Sequence, residues 1–213
     1  LIPFVNTFSF LATLRACEQI RSSVAYNNLN VKIIGSYGGL SDSYDGASHQ
    51  SVFDLAVMRS MTNISVVVAT DAIETKKAVR GIASIQGPIY LRLCRNEVTV
   101  FFDEDYEFVL GKANVLRQGS DLTLVVTGIL LERTMIAADE LAREGIECRV
   151  LQVSTLKPMD NEAITKASEE TGALVTVEEH NIIGGLGSAV AEVLASSIPA
   201  PLERIGIPDV FVG

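Results

Sequence analysis

Short strand-like stretches, most of them mainly apolar and that at 64–69 a continuous β-branched run, recur along this chain at residues 31–34, 64–69, 89–94, 122–127, 148–153, 174–177 and 202–205. Stretches with a different rhythm separate them. Phe10, Leu14, Cys17, Ile20 and Val24 fall three or four residues apart, and so do Leu131, Met135, Ala138 and Ala142. A continuous apolar run bounded by turn residues reads as a strand buried on both faces, and the three-to-four spacing reads as an amphipathic helix. Strand–helix alternation over a whole chain predicts parallel sheets with right-handed crossovers. The chain is therefore expected to be an α/β protein.

Local signals place the joints. The first helix is expected to end near Asn27 and Asn28, both poor helix formers. Asp71 with Glu74 three residues later marks a helix start, and Gly87-Pro88 punctuates before the run at 89–94. Gly145 and Gly172 stand where a helix closes on a left-handed residue. The rhythm breaks at 96–108, where Asp103-Glu104-Asp105 lies among aromatic residues. A boundary there divides the chain into two successive parallel-sheet units, 1–105 and 106–213, with upstream residues of the first unit expected to precede Leu1.

With 213 residues, 48% of them hydrophobic, the chain can bury one large core or two modest ones. A net charge of −9 argues against a nucleic-acid or anionic-membrane surface. No apolar run approaches the roughly 20 residues of a spanning helix, and the start lacks a signal-peptide pattern, so a cytoplasmic protein is expected. The odd, scattered cysteines Cys17, Cys94 and Cys148 read as buried free thiols.

The stretch 35–50, after one strand and before a helical pattern with Val52, Leu55, Ala56 and Met58, is the candidate site. It holds Gly35, Gly38, Gly39 and Gly46 together with Asp45 and His49. Open α/β sheets place ligands in such loops at the carboxyl ends of strands. Ser48 is a natural N-cap, which would put His49 in the first helical turn, where the dipole favours a neutral imidazole. Asp45 and His49 could then exchange protons with a hydroxyl-bearing ligand. On spacing alone Asp45 and Ser48 could simply cap a helix, with His49 a surface residue.

Glu178-Glu179-His180 sets three metal-ligand types in a row, but adjacent strand residues point to opposite faces, so no metal site is expected. The glycines of 184–187 could cradle an anion through backbone N–H groups or form a tight strand-to-helix connection.

Asp45-Gly46-Ala47-Ser48-His49-Gln50, preceded by Gly35-Ser36 and Gly38-Gly39-Leu40, resembles the pyrimidine-domain signature of transketolases. Ile2-Pro3-Phe4, Thr7-Phe8 and Glu18-Gln19-Ile20-Arg21 before it agree with the family, as do Gly87-Pro88-Ile89-Tyr90-Leu91-Arg92 and Arg95 after it. The likeness runs on through Val177-Glu178-Glu179-His180-Asn181 and Gly184-Gly185-Leu186-Gly187-Ser188-Ala189-Val190, in one collinear order over nearly the whole chain.

The resemblance implies a thiamine-diphosphate pyrimidine-binding domain followed by a transketolase C-terminal domain. It implies transfer of a two-carbon ketol unit between phosphorylated sugars, as in the pentose phosphate pathway. The family's Gly-Asp-Gly motif with a downstream Asn, which holds diphosphate and Mg²⁺, has no counterpart here. A separate N-terminal diphosphate-binding subunit is therefore expected to hold the metal, as in split transketolases, with a homodimer of this chain inside a heterotetramer. The family's catalytic glutamate would lie upstream of Ile2.

By the same resemblance, Asp45 hydrogen-bonds a substrate hydroxyl, His49 handles protons at the ketol oxygen, Arg95 grips the sugar phosphate and Phe8 packs on the cofactor pyrimidine. Leu11 and Leu14 stand where the family often has aromatic residues around that ring. Tyr37 stands in place of a substrate-contacting histidine, and Tyr44 in place of a frequent glutamate. A deoxyxylulose-phosphate synthase, the β-type subunit of a 2-oxoacid dehydrogenase and a non-catalytic assembly module are the alternatives these departures leave open.

Overall fold

The computed structural model describes residues 1–41 and 43–211. Its strands are β1 (Phe4–Phe8), β2 (Lys32–Ser36), β3 (Ser65–Val68), β4 (Ile89–Arg92), β5 (Ala113–Arg117), β6 (Leu122–Val126), β7 (Cys148–Val153), β8 (Thr155–Lys157), β9 (Leu174–Asn181) and β10 (Leu202–Ile207). They form two five-stranded sheets, ordered β1-β2-β4-β3-β8 and β10-β9-β6-β7-β5. All pairings are parallel except β3 with β8 and β5 with β7.

The expected α/β architecture is therefore present, with two antiparallel edge strands that periodicity did not announce. β8 has three residues and β5 carries Asn114 and Arg117 among its apolar positions, so neither offers a continuous apolar run. β8 also lies in the sequence of the second unit yet completes the sheet of the first. The core follows the same logic. Ile33, Leu55, Met58, Val66 and Tyr90 pack in one cluster with Val125, Leu151, Leu156, Ile164, Leu186 and Val190. The two sheets thus share a continuous interior. Each keeps a separate outer layer, Val67, Ala78, Ile82 and Leu91 on one side and Leu124, Val126, Leu131 and Val150 on the other.

The first helical stretch departs from its expected pattern. It comprises α1 (Cys17–Gln19) flanked by π-type segments Leu11–Arg15 and Ile20–Ala25. Ala16 and Tyr26 each donate to a carbonyl five residues back. That wider winding advances each residue by less than the 100° of an α-helix, so a stripe counted at 3.6 residues per turn drifts. Leu14, placed on the buried face by that count, is instead 58% exposed.

The next helix, α2 (Asp54–Ser60), starts later than Ser48 predicts. Ser48 Oγ donates to the Asp45 carbonyl at 3.4 Å and lies 2.9 Å from His49 Nδ1, capping nothing. His49 therefore sits in a turn ahead of the helix, and the argument from the helix dipole does not apply to it. Three other signals are met, one helix start and two helix ends. In α3 (Ala72–Ala83) the Asp71 carboxylate accepts from the Glu74 N–H at 2.7 Å. α4 (Leu131–Arg143) runs out at Gly145 and α5 (Asn161–Thr171) at Gly172, both left-handed, with φ of 84° and 70°. The last helix is α6 (Leu186–Ser196).

Of the three free thiols only Cys148 is buried, while Cys17 and Cys94 are half-buried. Among the described residues no helix is long and apolar enough to cross a membrane.

Candidate functional site

The carboxyl ends of β1, β2 and β4 lie side by side, since Phe8 pairs with Ser36 and Gly35 with Arg92. The chain leaving these ends brings an aromatic group together. The Phe8 ring lies 4.6 Å from that of Tyr37, 6.0 Å from Phe10 and 6.2 Å from His49, and His49 meets Phe10 edge-on at 4.8 Å. Arg95, three residues beyond β4, holds its guanidinium 5.4 Å above the Tyr37 ring and 5.8 Å above that of Tyr44. A cation so placed is attracted by the negative ring face.

The structure thus gathers Phe8, Tyr37, His49 and Arg95 from separate stretches of sequence. Phe8, Tyr37 and His49 are half-buried, whereas Asp45 and Arg95 are exposed. Among the described residues no hydrogen bond joins the Asp45 carboxylate to the His49 ring. The two flank the same turn, with the His49 N–H donating to the Gly46 carbonyl at 3.0 Å. Leu11 is half-buried and Leu14 open, both on the π-type segment that follows β1. The surface is one wall, open to the outside.

Its loop is pinned at the base. Tyr37 has φ 61°, a left-handed conformation that costs energy for any residue but glycine. The following backbone holds it there. The Gly38 N–H donates to Leu93 O at 2.9 Å, and the Ser41 hydroxyl donates to Gly38 O at 2.9 Å. Gly39 exchanges hydrogen bonds with Ser51, at 2.7 Å to Ser51 O and 3.1 Å from Ser51 N. The loop closes on itself before α2 begins.

Beneath it lies a buried polar seam that sequence reasoning missed. Arg92 Nε donates to Asp54 Oδ2 at 2.9 Å, and Tyr90 donates to the same oxygen at 2.8 Å. Arg92 Nη2 donates to Ser51 O at 3.1 Å and to Glu179 O at 2.9 Å. Burial tends to discharge this guanidinium, but the Asp54 and Glu179 carboxylates hold its pKa above the ordinary arginine value. The signal was present: an aspartate beside Leu55 in a helical stripe, and an arginine closing the apolar strand 89–92. Two such charges in core positions call for each other.

β9 carries the seam into the other sheet. Its residues alternate strictly in burial, so Glu178 and His180 point inward while Glu179 points toward the loop. The strand therefore runs four residues past the expected end at 177. The Glu178 carboxylate accepts from the backbone N–H groups of Leu186 at 2.6 Å and Gly187 at 2.8 Å. The anion cradle read from the glycines of 184–187 exists, and the protein's own glutamate fills it. Burial pushes the Glu178 carboxyl above the usual range, against the pull of those two N–H groups.

His180 Nδ1 lies 2.7 Å from Asn181 O and its Nε2 accepts from the Ala56 N–H at 3.4 Å. This pairing assigns a neutral ring with the proton on Nδ1, and burial lowers its pKa accordingly. Among the described residues no group of three or more His, Cys, Asp or Glu side chains is arranged to hold a metal.

Comparison with known proteins agrees with this architecture. The family model described as "Transketolase, pyrimidine binding domain" matches residues 1–100, and "Transketolase, C-terminal domain" matches 111–213. A 6-deoxy-6-sulfo-D-fructose transketolase subunit, SqwH, of Clostridium sp. (strain MSTE9) is 42% identical over 210 residues, covering 99% of this chain and 65% of that protein. An apulose-4-phosphate transketolase subunit of Phocaeicola vulgatus is 44% identical over 196 residues, covering 92% of this chain and 62% of that protein. The chain thus spans less than two thirds of either relative.

A solved structure of a split gene transketolase, described as an inactive beta4 tetramer, superposes over 100% of this chain and 69% of its own, with TM-score 0.94 and 45% identity. The transketolase of Campylobacter jejuni shares the fold at TM-score 0.79 and 18% identity, over 99% of this chain and 32% of its own. With its fold, its collinear motifs and these relatives in agreement, the chain belongs to the transketolase family.

Proposed function

We propose that this chain is the pyrimidine-binding and C-terminal half of a split, thiamine-diphosphate-dependent transketolase. It moves a two-carbon ketol unit between anionic sugars and is active only with a separate diphosphate-binding subunit that holds Mg²⁺. The observation that carries this reading is the ring-lined edge over β1, β2 and β4, which presents a histidine, a phenol and an arginine on a single open wall. A one-sided surface of this kind suits half of a site whose other half comes from a partner.

The residues fit a flat heteroaromatic ring. Phe8 offers a half-open face for offset stacking, and Leu14, 58% exposed, adds uncovered apolar surface beside Leu11. When bound, thiamine diphosphate supplies the carbanion that carries the ketol unit. The chain's own residues then bind and orient. His49, its Nδ1 engaged by Ser48, is held with Nε2 as the remaining proton-handling atom for a ketol oxygen. Asp45 accepts a hydrogen bond from a neighbouring hydroxyl, and Tyr37 can donate one.

Arg95, poised over two tyrosine rings, supplies a fixed charge for the anionic tail of the sugar. The relatives' names include both a sulfo-sugar and a sugar phosphate, and a guanidinium suits either group. The domain division near residue 105, and a homodimer of this chain within a heterotetramer, belong to the same proposal.

The test is reconstitution. The full-length chain, a diphosphate-binding subunit carrying Gly-Asp-Gly, thiamine diphosphate and Mg²⁺ are mixed and assayed with ketose phosphates and a sulfoketose. Ketol transfer that needs all four components is expected. Transfer from none of these donors would refute the proposal.

A further inference from the structure

The loop that carries Tyr37 and His49 belongs to the first sheet, but one of its restraints comes from the second. Glu179 of β9 extends its carboxylate to the Leu40 N–H, accepting at 3.1 Å. The same side chain lies against Gly39, whose φ is 74°. A methyl at that glycine would collide with the Glu179 carboxylate, so glycine is required there twice over. The Glu179 backbone carbonyl is also fixed, because Arg92 Nη2 donates to it and to Ser51 O together. Ser51 in turn pairs with Gly39. Glu179 therefore closes a ring of contacts around Gly39 and Leu40, two residues beyond a tyrosine in a costly conformation.

We propose that Glu179 is a positioning residue: a carboxylate of the C-terminal domain that sets the loop presenting Tyr37 and His49, without touching substrate itself. This inference rests on the transketolase reading of that loop. Three facts favour positioning over plain structural support. Glu179 is the residue of β9 that faces the loop rather than the core, and its neighbours Glu178 and His180 already satisfy α6 and α2. The hydrogen bond its carboxylate makes is to a backbone N–H, so that bond constrains the path of the chain, while its charge also acts on the Arg92 guanidinium. And the loop segment it holds has no apolar bulk of its own beyond Leu40 to fix it.

Two variants of the full-length chain test this. Glu179→Gln keeps an acceptor oxygen for the Leu40 N–H, whereas Glu179→Ala removes it. Amide hydrogen exchange on the chain alone reads the loop whether or not the reaction assigned above is right. Leu40 is expected to lose protection in Glu179→Ala and to keep it in Glu179→Gln, with both melting as the parent does. In the reconstituted complex, kcat/KM for the ketose donor is expected to fall about tenfold in Glu179→Ala and to recover in Glu179→Gln, the scale of one lost hydrogen bond to a charged group.

Unchanged Leu40 protection in Glu179→Ala overturns the proposal. So does an equal loss of rate in both variants accompanied by a lowered melting temperature, which is the mark of a purely structural residue. Loss of protection in Glu179→Ala with no turnover by the parent complex would instead refute the transketolase reading and leave the loop contact standing.

Discussion

The open edge and the buried seam, joined through the same loop, are built on opposite rules. At the edge the rings of Phe8, Tyr37 and His49 lie together beneath the Arg95 cation, with Tyr37 in a left-handed conformation. In the seam Arg92, Asp54, Tyr90, Glu178 and His180 are buried and held by hydrogen bonds of 2.6–3.4 Å. The seam carries stability and joins the two sheets. The edge leaves Phe8, Tyr37 and His49 half-buried, with ring surface still open, as the proposed ligand surface requires. The difference teaches that the buried charge pairing of Arg92 with Asp54 lies beneath the ring-lined edge rather than on it.

The comparison breaks most visibly at Arg92. Arg92→Met leaves the Asp54 carboxylate buried without its partner, and a loss of about 3–5 kcal/mol in unfolding free energy is expected from urea denaturation. A loss under about 1 kcal/mol would mean the ion pair is not what holds the seam. Next comes His49→Ala, expected to leave unfolding free energy within about 0.5 kcal/mol of the parent while ketol transfer in the reconstituted complex falls at least about a hundredfold. A variant that unfolds early, or one that turns over normally, would erase the distinction between the regions.

Arg95→Ala sharpens it further. KM for the anionic sugar donor should rise about tenfold with kcat nearly unchanged, since the lost grip acts equally on ground and transition states. A fall in kcat at constant KM would place Arg95 in the chemistry instead.

The smallest effect is a pH dependence. Burial lowers the His180 pKa in the folded chain below the unfolded value of about 6.5. Below that pH the unfolded chain takes up a proton that the folded one refuses, so this group makes stability fall as pH drops. Glu178 and Glu179, raised by burial, act with the opposite sign: the folded state protonates first, adding stability as pH falls toward about 4.3. In His180→Gln the first contribution is gone, and the fall in melting temperature between pH 6.5 and 5.5 should be shallower than in the parent. Parallel curves would contradict a buried neutral imidazole.

The sequence disclosed the central strands because they are largely buried on both faces and read as mainly apolar runs, as in Ser65–Val68 and Leu122–Val126. The edge strands β5 and β8 escaped because a short strand paired on one side carries too little pattern. β9 extends past Val177 into charged residues because the N-terminus of α6 accommodates Glu178, a pairing that no local pattern announces. Leu14 is exposed, against a stripe counted at 3.6 residues per turn, because the winding there is partly π. His49 lies outside the helix because Ser48, which has the chemistry of a cap, turns its hydroxyl to Asp45 and His49 instead.

Phe8, Tyr37, His49 and Arg95 could be named from family motifs, since each lies within or beside one. Their meeting in space is a property of strand order, which no local motif encodes. Glu179 and Leu40 lie 139 positions apart, and nothing in either stretch announces the other.

Everything proposed for the edge depends on its being half of a coenzyme site. Equilibrium binding of thiamine diphosphate, measured by calorimetry in the presence of Mg²⁺ on the full-length chain alone, on the diphosphate-binding subunit alone and on the mixture, tests this directly. Tight, stoichiometric binding is predicted only in the mixture. Tight binding to this chain alone would contradict it.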